Sequence, residues 1–199
     1  VRFSSGWITT PLNTNTYVAL VSPSSPGNCV FGARQSGGLD RVYSAGASFN
    51  TQTINNNSYC ALSHEPSASN MIYAARVSGG VDRIYFGLTW STQPVDSQTY
   101  SALASSPSGN YSTYGAGAGG LARVYYPGTG SWTAETLNSA VYESVVCDRS
   151  VGVVYGADAS TGVFPIFDIS GTKSAEDGEE VSLSSIVTAI FVEENGTGG

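Results

Sequence analysis

The 199-residue chain is poor in basic residues, with eight lysines and arginines together against 15 acidic residues. Proteins that bind nucleic acids usually carry a basic stripe that replaces phosphate counterions, and the net charge of −7 argues against such a stripe. The chain also lacks a run of apolar residues long enough for a membrane-spanning helix. We therefore expect no nucleic-acid partner and no membrane span.

Cysteine and histidine are scarce. The three cysteines, Cys29, Cys60 and Cys147, have no metal-ligand spacing and cannot all pair with one another. We interpret them as small buried residues on strands, and leave a Cys29–Cys60 disulfide open. The only histidine, His64, precedes Glu65, and no neighbour in the sequence would orient it as a general base. We expect a surface turn at this dipeptide, and no metal or cofactor.

Helical periodicity is nearly absent, and the chain instead repeats itself. Four tyrosines, at steps of 42, 41 and 42 residues, open related segments: Tyr17, Tyr59, Tyr100 and Tyr142. A period near forty residues indicates a solenoid, a propeller or an array. Joined tail to head, IFVEENGTGG and VRFSSGWITTPL match FGARQSGGLDRVYSAGASFNTQTI of the first segment. This match predicts a fifth repeat divided between the two ends of the chain.

Each repeat contains four short stretches rich in β-branched and aromatic residues, separated by turn-forming residues. In the first complete repeat they are Tyr17–Val21, Cys29–Arg34, Asp40–Ser44 and Ser48–Ile54. Four antiparallel strands in about forty residues form a propeller blade. The sequence therefore predicts an all-β, five-bladed β-propeller with one domain over residues 1–199. Its last blade would be closed by N-terminal and C-terminal strands, with Val1–Ser5 beside Ile190–Glu194.

Paired glycines recur between the second and third strands of the repeats, as in Gly37-Gly38 and Gly79-Gly80. A tight hairpin at this place needs positive φ angles, which glycine adopts at low cost. A phosphate-binding loop would instead have to open a helix, and none follows these pairs. We therefore predict hairpin turns.

Arginine recurs in the third strand, at Arg41, Arg83 and Arg123, each followed by a hydrophobic and then an aromatic residue. Strand alternation places the arginine and the aromatic residue on one face. Two roles stay open. Each arginine would lie over a neighbouring ring in a structural ladder, or it would donate hydrogen bonds to a polar ligand.

Aromatic and amide side chains are the other candidates for ligand contacts. Matching positions of the fourth strand hold Trp7, Phe49, Trp90 and Trp132. Such rings usually pack between blades, and in an open groove they would stack on a sugar. Asn15 and Asn57 lie in loops that enter the innermost strands, where their amides suit sugar hydroxyls or simply form turns. The four repeat-opening tyrosines would ring a pocket at the mouth of the central channel.

The repeats resemble those of small propeller lectins. Five blades of this size are similar to the tachylectin type, and Arg123-Val124-Tyr125-Tyr126 resembles the Arg-Val-Tyr strands of fungal fucose-binding propeller lectins. The second resemblance implies that the strand arginine and a downstream glutamate hold the sugar, with aromatic stacking. Arg41, Arg83 and Arg123 match the arginine. Glu135 matches the glutamate in the third repeat, whereas Gln52 and Gln93 stand near its place in the first two.

We predict a non-catalytic carbohydrate-binding protein with repeated sites between or atop the blades, which the degenerate fourth repeat has lost. A pigment or other small organic ligand in the central channel and a protein-interaction scaffold are alternatives. Enzymatic activity is not expected, because propeller glycosidases need carboxylates that project into the channel, and the inner strands of the first three repeats have none. An extracellular location is slightly favoured, and the oligomeric state is left open.

Overall fold

The computed structural model describes residues 2–4, 6–8, 11–23, 29–46, 48–68, 70–106, 111–148, 153–158, 162–169 and 172–174. For residues 2–8 and from residue 158 onward, this description is limited to the backbone. The regular structure in these ranges is entirely β-strand, as the sequence predicts. None of the described residues belongs to a helix of the length and apolarity that crossing a membrane requires.

The strands form a short hairpin followed by four antiparallel sheets of four strands each. The hairpin pairs β1 (Arg2–Ser4) with β2 (Gly6–Ile8). Sheet 1 contains β3 (Tyr17–Val21), β4 (Cys29–Arg34), β5 (Leu39–Ala45) and β6 (Ser48–Asn55). Sheet 2 contains β7 (Tyr59–His64), β8 (Met71–Arg76), β9 (Val81–Phe86) and β10 (Trp90–Asp96). Sheet 3 contains β11 (Ala102–Ser105), β12 (Ser112–Gly117), β13 (Gly120–Tyr125) and β14 (Thr133–Asn138). Sheet 4 contains β15 (Ser144–Asp148), β16 (Val153–Asp158), β17 (Gly162–Ile169) and β18 (Thr172–Ser174).

Each sheet is a meander in which spatial order follows chain order. Between sheets, the contacts join the first strands: β3 lies against β7, β7 against β11, and β11 against β15. The first strands of successive sheets therefore lie next to one another, and the fourth strands lie at the opposite edges of the sheets. The strands predicted for the first repeat are confirmed to within one residue. The predicted partner of the N-terminal strand, Ile190–Glu194, lies outside the described residues.

The hydrophobic core lies between neighbouring sheets, because a four-stranded sheet alone cannot cover both of its faces. Between sheets 1 and 2 it includes Phe31, Leu39, Ile72 and Ile84, all fully buried. The second strand is the most enclosed element, and every residue of β12 is buried. Full burial of one such aliphatic or aromatic side chain contributes roughly 1.5–3 kcal/mol.

The glycine pairs form the predicted hairpin turns. Gly38 and Gly80 have φ angles of 105° and 97°, in the region that side chains rarely adopt. An added Cβ at Gly80 would also lie 2.7 Å from the backbone oxygen of Asp96. These turns thus need glycine for both their backbone angle and their space.

In sheets 1, 3 and 4, the tyrosine that opens the repeat packs against a glycine of the second strand. In sheet 3 the ring of Tyr100 covers Gly115, where an added Cβ would lie 2.5 Å from the ring carbon Cδ1. Gly32 and Gly156 have the same relation to Tyr17 and Tyr142. These glycines therefore provide space for a ring, which explains their recurrence in the middle of buried strands.

The cysteines are free thiols, so the disulfide that the sequence left open is not formed. Cys29 is buried in the core between sheets 1 and 2, as expected for a small apolar residue. Cys60 and Cys147 are partly buried, and burial raises the pKa of the Cys60 thiol. No described cluster of three or more histidine, cysteine and acidic side chains is arranged to hold a metal ion.

Candidate functional site

The three arginines of the third strands form the ladder that strand alternation predicts. The guanidinium carbon lies over the ring two residues further on, at 4.6 Å for Arg41 and Tyr43 and 4.5 Å for Arg83 and Tyr85. Arg123 has the same relation to Tyr125, at 4.8 Å. The intervening Val42, Ile84 and Val124 are buried on the opposite face.

Each of the first two arginines also meets a tryptophan of the next sheet. The Arg41 guanidinium carbon lies 5.9 Å from the centre of the Trp90 ring, and that of Arg83 lies 5.8 Å from the centre of the Trp132 ring. Both distances are within the range of cation–π attraction. The ladder therefore extends across the cleft between neighbouring sheets, and both of the roles considered from the sequence remain compatible with it.

A glutamine on the neighbouring strand of the same sheet lies directly opposite each of these two arginines. Gln52 is the register partner of Arg41, and Gln93 that of Arg83. Arg83 Nη1 donates to Gln93 Oε1 at 3.4 Å. In sheet 1 the amide oxygen of Gln52 instead accepts a hydrogen bond from Trp90 Nε1 at 3.4 Å. Between sheets 1 and 2, and again between sheets 2 and 3, the arginine, the amide and the tryptophan thus lie together.

Glu135 is the register partner of Arg123 in sheet 3. The residue opposite the strand arginine is thus an amide in the first two sheets and a carboxylate in the third.

An open cleft of about 790 Å³ separates sheets 2 and 3 at this place. Its volume falls within the usual range for small-molecule sites. Its lining combines aromatic rings with polar side chains: Arg83, Gln93, Tyr111, Tyr126, Ser131 and Trp132. Trp132 is supported from both sides, since its ring lies 6.0 Å from that of Tyr73 and 5.8 Å from that of Tyr126.

Tyr111 is held in a left-handed backbone conformation, with φ at 51°. This conformation costs roughly 1–2 kcal/mol for a residue other than glycine, and such residues cluster at functional sites. The ring is 44% exposed, and its centre lies 5.5 Å from the Arg83 guanidinium carbon. No repeat pattern in the sequence pointed to Tyr111, because the matching residue of sheet 2 is Asn70, which makes the same backbone hydrogen bond.

Behind the cleft wall, Glu65 is fully buried. Its Oε2 accepts hydrogen bonds from the Tyr73 hydroxyl at 3.0 Å and from the Ser112 backbone N–H at 3.1 Å. Its Oε1 accepts from the Ser67 hydroxyl and N–H, at 2.6 and 3.1 Å. The expectation of a surface turn at His64-Glu65 is therefore wrong for Glu65, because donors from two sheets surround its carboxylate.

His64 is partly buried at the end of β7, where its Nδ1 lies 2.9 Å from the Ser105 hydroxyl oxygen of β11. A smaller cavity of about 240 Å³ adjoins it, lined mainly by aliphatic residues and Cys147. The surface turn expected here is thus wrong for His64 as well, since the side chain contacts the neighbouring first strand.

Three of the repeat-opening tyrosines, Tyr59, Tyr100 and Tyr142, are buried, whereas Tyr17 is half-buried. The Tyr59 hydroxyl donates to Asp82 Oδ2 at 2.8 Å, and the Tyr100 hydroxyl donates to Asp96 Oδ2 at 2.8 Å. Burial, together with these carboxylates, raises the pKa of both phenols. Their hydroxyls are thus engaged within the protein, and the predicted ligand role of these tyrosines gains no support.

The loop asparagines serve the same network. Asn15 Nδ2 donates to Asp40 Oδ2 at 2.8 Å, and Asn57 Nδ2 donates to Asp82 Oδ2 at 3.3 Å. The Tyr17 hydroxyl also donates to Asp40, and burial is the main cause of the raised pKa of Tyr17. Both side chains are exposed but bonded, so their place in this network with the aspartate and the tyrosine accounts for them. The remaining candidate, Trp7, lies on β2, where only the backbone is described.

No protein-family model matches the chain, and no curated protein matches it. Solved structures do match. AofleA from Arthrobotrys oligospora has a TM-score of 0.56 and 12% identity, over 79% of this chain and 54% of its own. An ancestral GH74 enzyme has a TM-score of 0.51 and 16% identity, over 75% of this chain and 24% of its own. A quinoprotein alcohol dehydrogenase-like protein from Bacteroides thetaiotaomicron has a TM-score of 0.51 and 11% identity, over 81% and 44%.

These neighbours include propeller-type folds. The chain therefore has an all-β, propeller-like fold of four-stranded antiparallel sheets. It spans between about a quarter and about half of the length of these structures. At such low identities the likeness concerns the fold alone.

Proposed function

We propose that this protein is a non-catalytic carbohydrate-binding protein whose sites are the clefts between neighbouring sheets. One observation carries the proposal: Arg83 and Gln93 of sheet 2 face Trp132 and Tyr111 of sheet 3 across an open cleft. A sugar ring presents hydroxyl groups at its edge and C–H groups on its faces. The arginine and the amide suit the hydroxyl groups, and the tryptophan suits an apolar face.

The recurrence of the same constellation between sheets 1 and 2 supports repeated sites. There Arg41, Gln52 and Trp90 hold equivalent positions. Two or more weak sites on one chain raise avidity by about 10²–10⁴ when a glycan surface engages them together. In sheet 4 the strand register puts Pro165 opposite Tyr155, where sheet 2 has Arg83 opposite Tyr73. We accordingly expect the fourth repeat to provide no arginine for a site.

The complete fold in this proposal is a five-bladed propeller, formed as one domain over residues 1–199. The tail-to-head sequence match supports it, since β1 and β2 would be the outer half of the fifth blade. Deleting residues 1–12 would then leave an incomplete blade and expose strand edges. We expect the truncated protein to unfold or aggregate, and a monomer with an unchanged melting temperature would rule out closure.

Glycan binding is tested by titrating the protein against an array of glycans, followed by calorimetry to count sites. Trp132→Ala and Trp90→Ala should each remove one class of sites, and the double variant should bind at least about tenfold more weakly. Val77→Ala is the matched control, because Val77 is 63% exposed in the turn after β8. Unchanged binding by a folded double variant would contradict the aromatic platform.

The same experiments separate the alternatives. If the protein instead binds a pigment or small organic ligand in the central channel, we expect one ligand per chain. Trp132→Ala should then leave the affinity for that ligand unchanged. A protein-interaction scaffold predicts no glycan binding. The absence of catalysis is part of the proposal, and steady hydrolysis of a bound oligosaccharide would contradict it.

A further inference from the structure

The cleft between sheets 2 and 3 has an unbalanced positive charge. Arg83 is paired across the strand with the neutral Gln93, whereas Arg123 in sheet 3 is paired with Glu135. Among the described residues that line the cleft, no carboxylate is present. The difference between an amide and a carboxylate at this register position therefore sets the charge that a ligand meets.

Two buried carboxylates lie behind the cleft wall, and neither forms an ion pair with Arg83 among the described contacts. Glu65 and Asp82 are at most 1% exposed. The oxygens of Glu65 accept hydrogen bonds from Ser67, Tyr73 and Ser112. Asp82 accepts from the Tyr59 hydroxyl and lies 3.5 Å from Arg76 Nε. Both negative charges are thus engaged away from the cleft.

Arg83 also has N–H donors that form no hydrogen bond in the described contacts. A guanidinium group has five N–H donors, and the described contacts use two of them: Nε donates to Met71 Sδ and Nη1 to Gln93. The rings of Tyr85, Tyr111 and Trp132 hold the guanidinium group in place. A fixed, partly exposed guanidinium group matches the planar geometry of a carboxylate.

We propose that this cleft selects a sugar that bears a carboxylate over a neutral sugar of the same size. The inference rests on the proposed function. A carboxylate adds opposite charge and a planar pair of acceptors that the guanidinium group can bind with two parallel hydrogen bonds, whereas a neutral sugar leaves the arginine charge without a counterpart. The equivalent residues between sheets 1 and 2 have the same charge pattern, with Gln52 opposite Arg41, and share the preference.

The test compares a uronic-acid trisaccharide with its fully methyl-esterified, neutral form, by calorimetry on the full chain at low salt. We expect the acid to bind at least about tenfold more tightly, with the advantage shrinking as salt is added. The variant Gln52→Glu/Gln93→Glu supplies the missing negative charges at two exposed positions. Its affinities for the acid and for the neutral form should become equal. Glu135→Gln is the control, because Glu135 does not line the cleft between sheets 2 and 3, and it should leave the preference of that cleft unchanged.

The outcomes separate the two proposals. Equal binding of both forms to the wild-type protein overturns the selectivity and leaves carbohydrate binding intact. If the folded double variant still prefers the acid, then Gln52 and Gln93 do not set the preference, and the inference is wrong. Failure of every sugar on the array overturns the proposed function and this inference together.

Discussion

Replacing Glu65 by alanine tests the connection between sheets 2 and 3. Glu65 is fully buried, and its Oε2 accepts from the Tyr73 hydroxyl of its own sheet and from the Ser112 N–H of the next. Because Ser112 directly follows Tyr111, the hydrogen bond from the Ser112 N–H to Glu65 also restrains Tyr111, the cleft residue with the left-handed backbone. We expect Glu65→Ala to destabilise the fold and to weaken ligand binding together.

The magnitude follows from the donors that lose their acceptor. Tyr73 and Ser112 are fully buried, and a buried donor without a partner costs about 1–3 kcal/mol. Two such donors give about 2–6 kcal/mol. The Ser67 groups can turn to water, and removing a buried charge returns part of its desolvation cost. We therefore expect a decrease of about 3 kcal/mol in the free energy of unfolding.

Urea unfolding followed by tryptophan fluorescence measures this change, since Trp132 packs on Tyr73. A lower midpoint at an unchanged slope would indicate lost stability alone. Tyr73→Phe is the matched control. It removes one donor and leaves the carboxylate with three, so it should cost about 1–2 kcal/mol, less than Glu65→Ala. If Glu65→Ala costs below about 1 kcal/mol, or less than Tyr73→Phe, the reasoning fails.

Two further predictions concern stability. Gly115→Ala should lower the free energy of unfolding by about 1–3 kcal/mol, because the added Cβ would lie 2.5 Å from the Tyr100 ring. The control, Ala74→Gly at the matching position of sheet 2, should lower it by at most about 1 kcal/mol. Equal decreases for the two variants in urea unfolding would contradict this account. Alkaline pH should destabilise the protein, because burial raises the pKa of Tyr59 and Tyr73 above the ordinary value of 10. The stability from each phenol is fully present below pH 10 and falls by about 1.4 kcal/mol per pH unit above it. Near-ultraviolet titration should therefore find these phenols ionising only as the protein unfolds, and ionisation near pH 10 in the folded state would refute the assignment.

The sequence was sufficient for the local features of the fold. The strands of sheet 1, the glycine turns and the common face of Arg83 and Tyr85 all follow from alternation and turn chemistry within a few residues. The partners of the arginines were also within reach, because a two-strand hairpin places Gln93 opposite Arg83 once its turn is known.

The same reasoning did not reveal the burial of Glu65 or the partners of the repeat-opening tyrosine hydroxyls. The Ser112 N–H that binds Glu65 is 47 residues away, and Asp82, which binds the Tyr59 hydroxyl, is 23 residues away. The sequence alone does not show which distant residues donate to or accept from these groups. A hydrophilic dipeptide and a polar loop are therefore predicted to be exposed. Tyr111 gave no signal at all, since its left-handed backbone departs from the repeat pattern.

The sequence by itself determined that the chain forms repeated four-stranded sheets, because a period near forty residues and strand alternation act within each repeat. The tertiary structure alone decided which polar groups are buried and which are open to a ligand. That distinction depends on how neighbouring sheets pack: Glu65 is enclosed because sheet 3 covers it, whereas Arg83 stays accessible because sheets 2 and 3 diverge into a cleft at that point. Whether a residue is buried depends on both of the sheets that pack together, whereas the repeat pattern describes each sheet by itself.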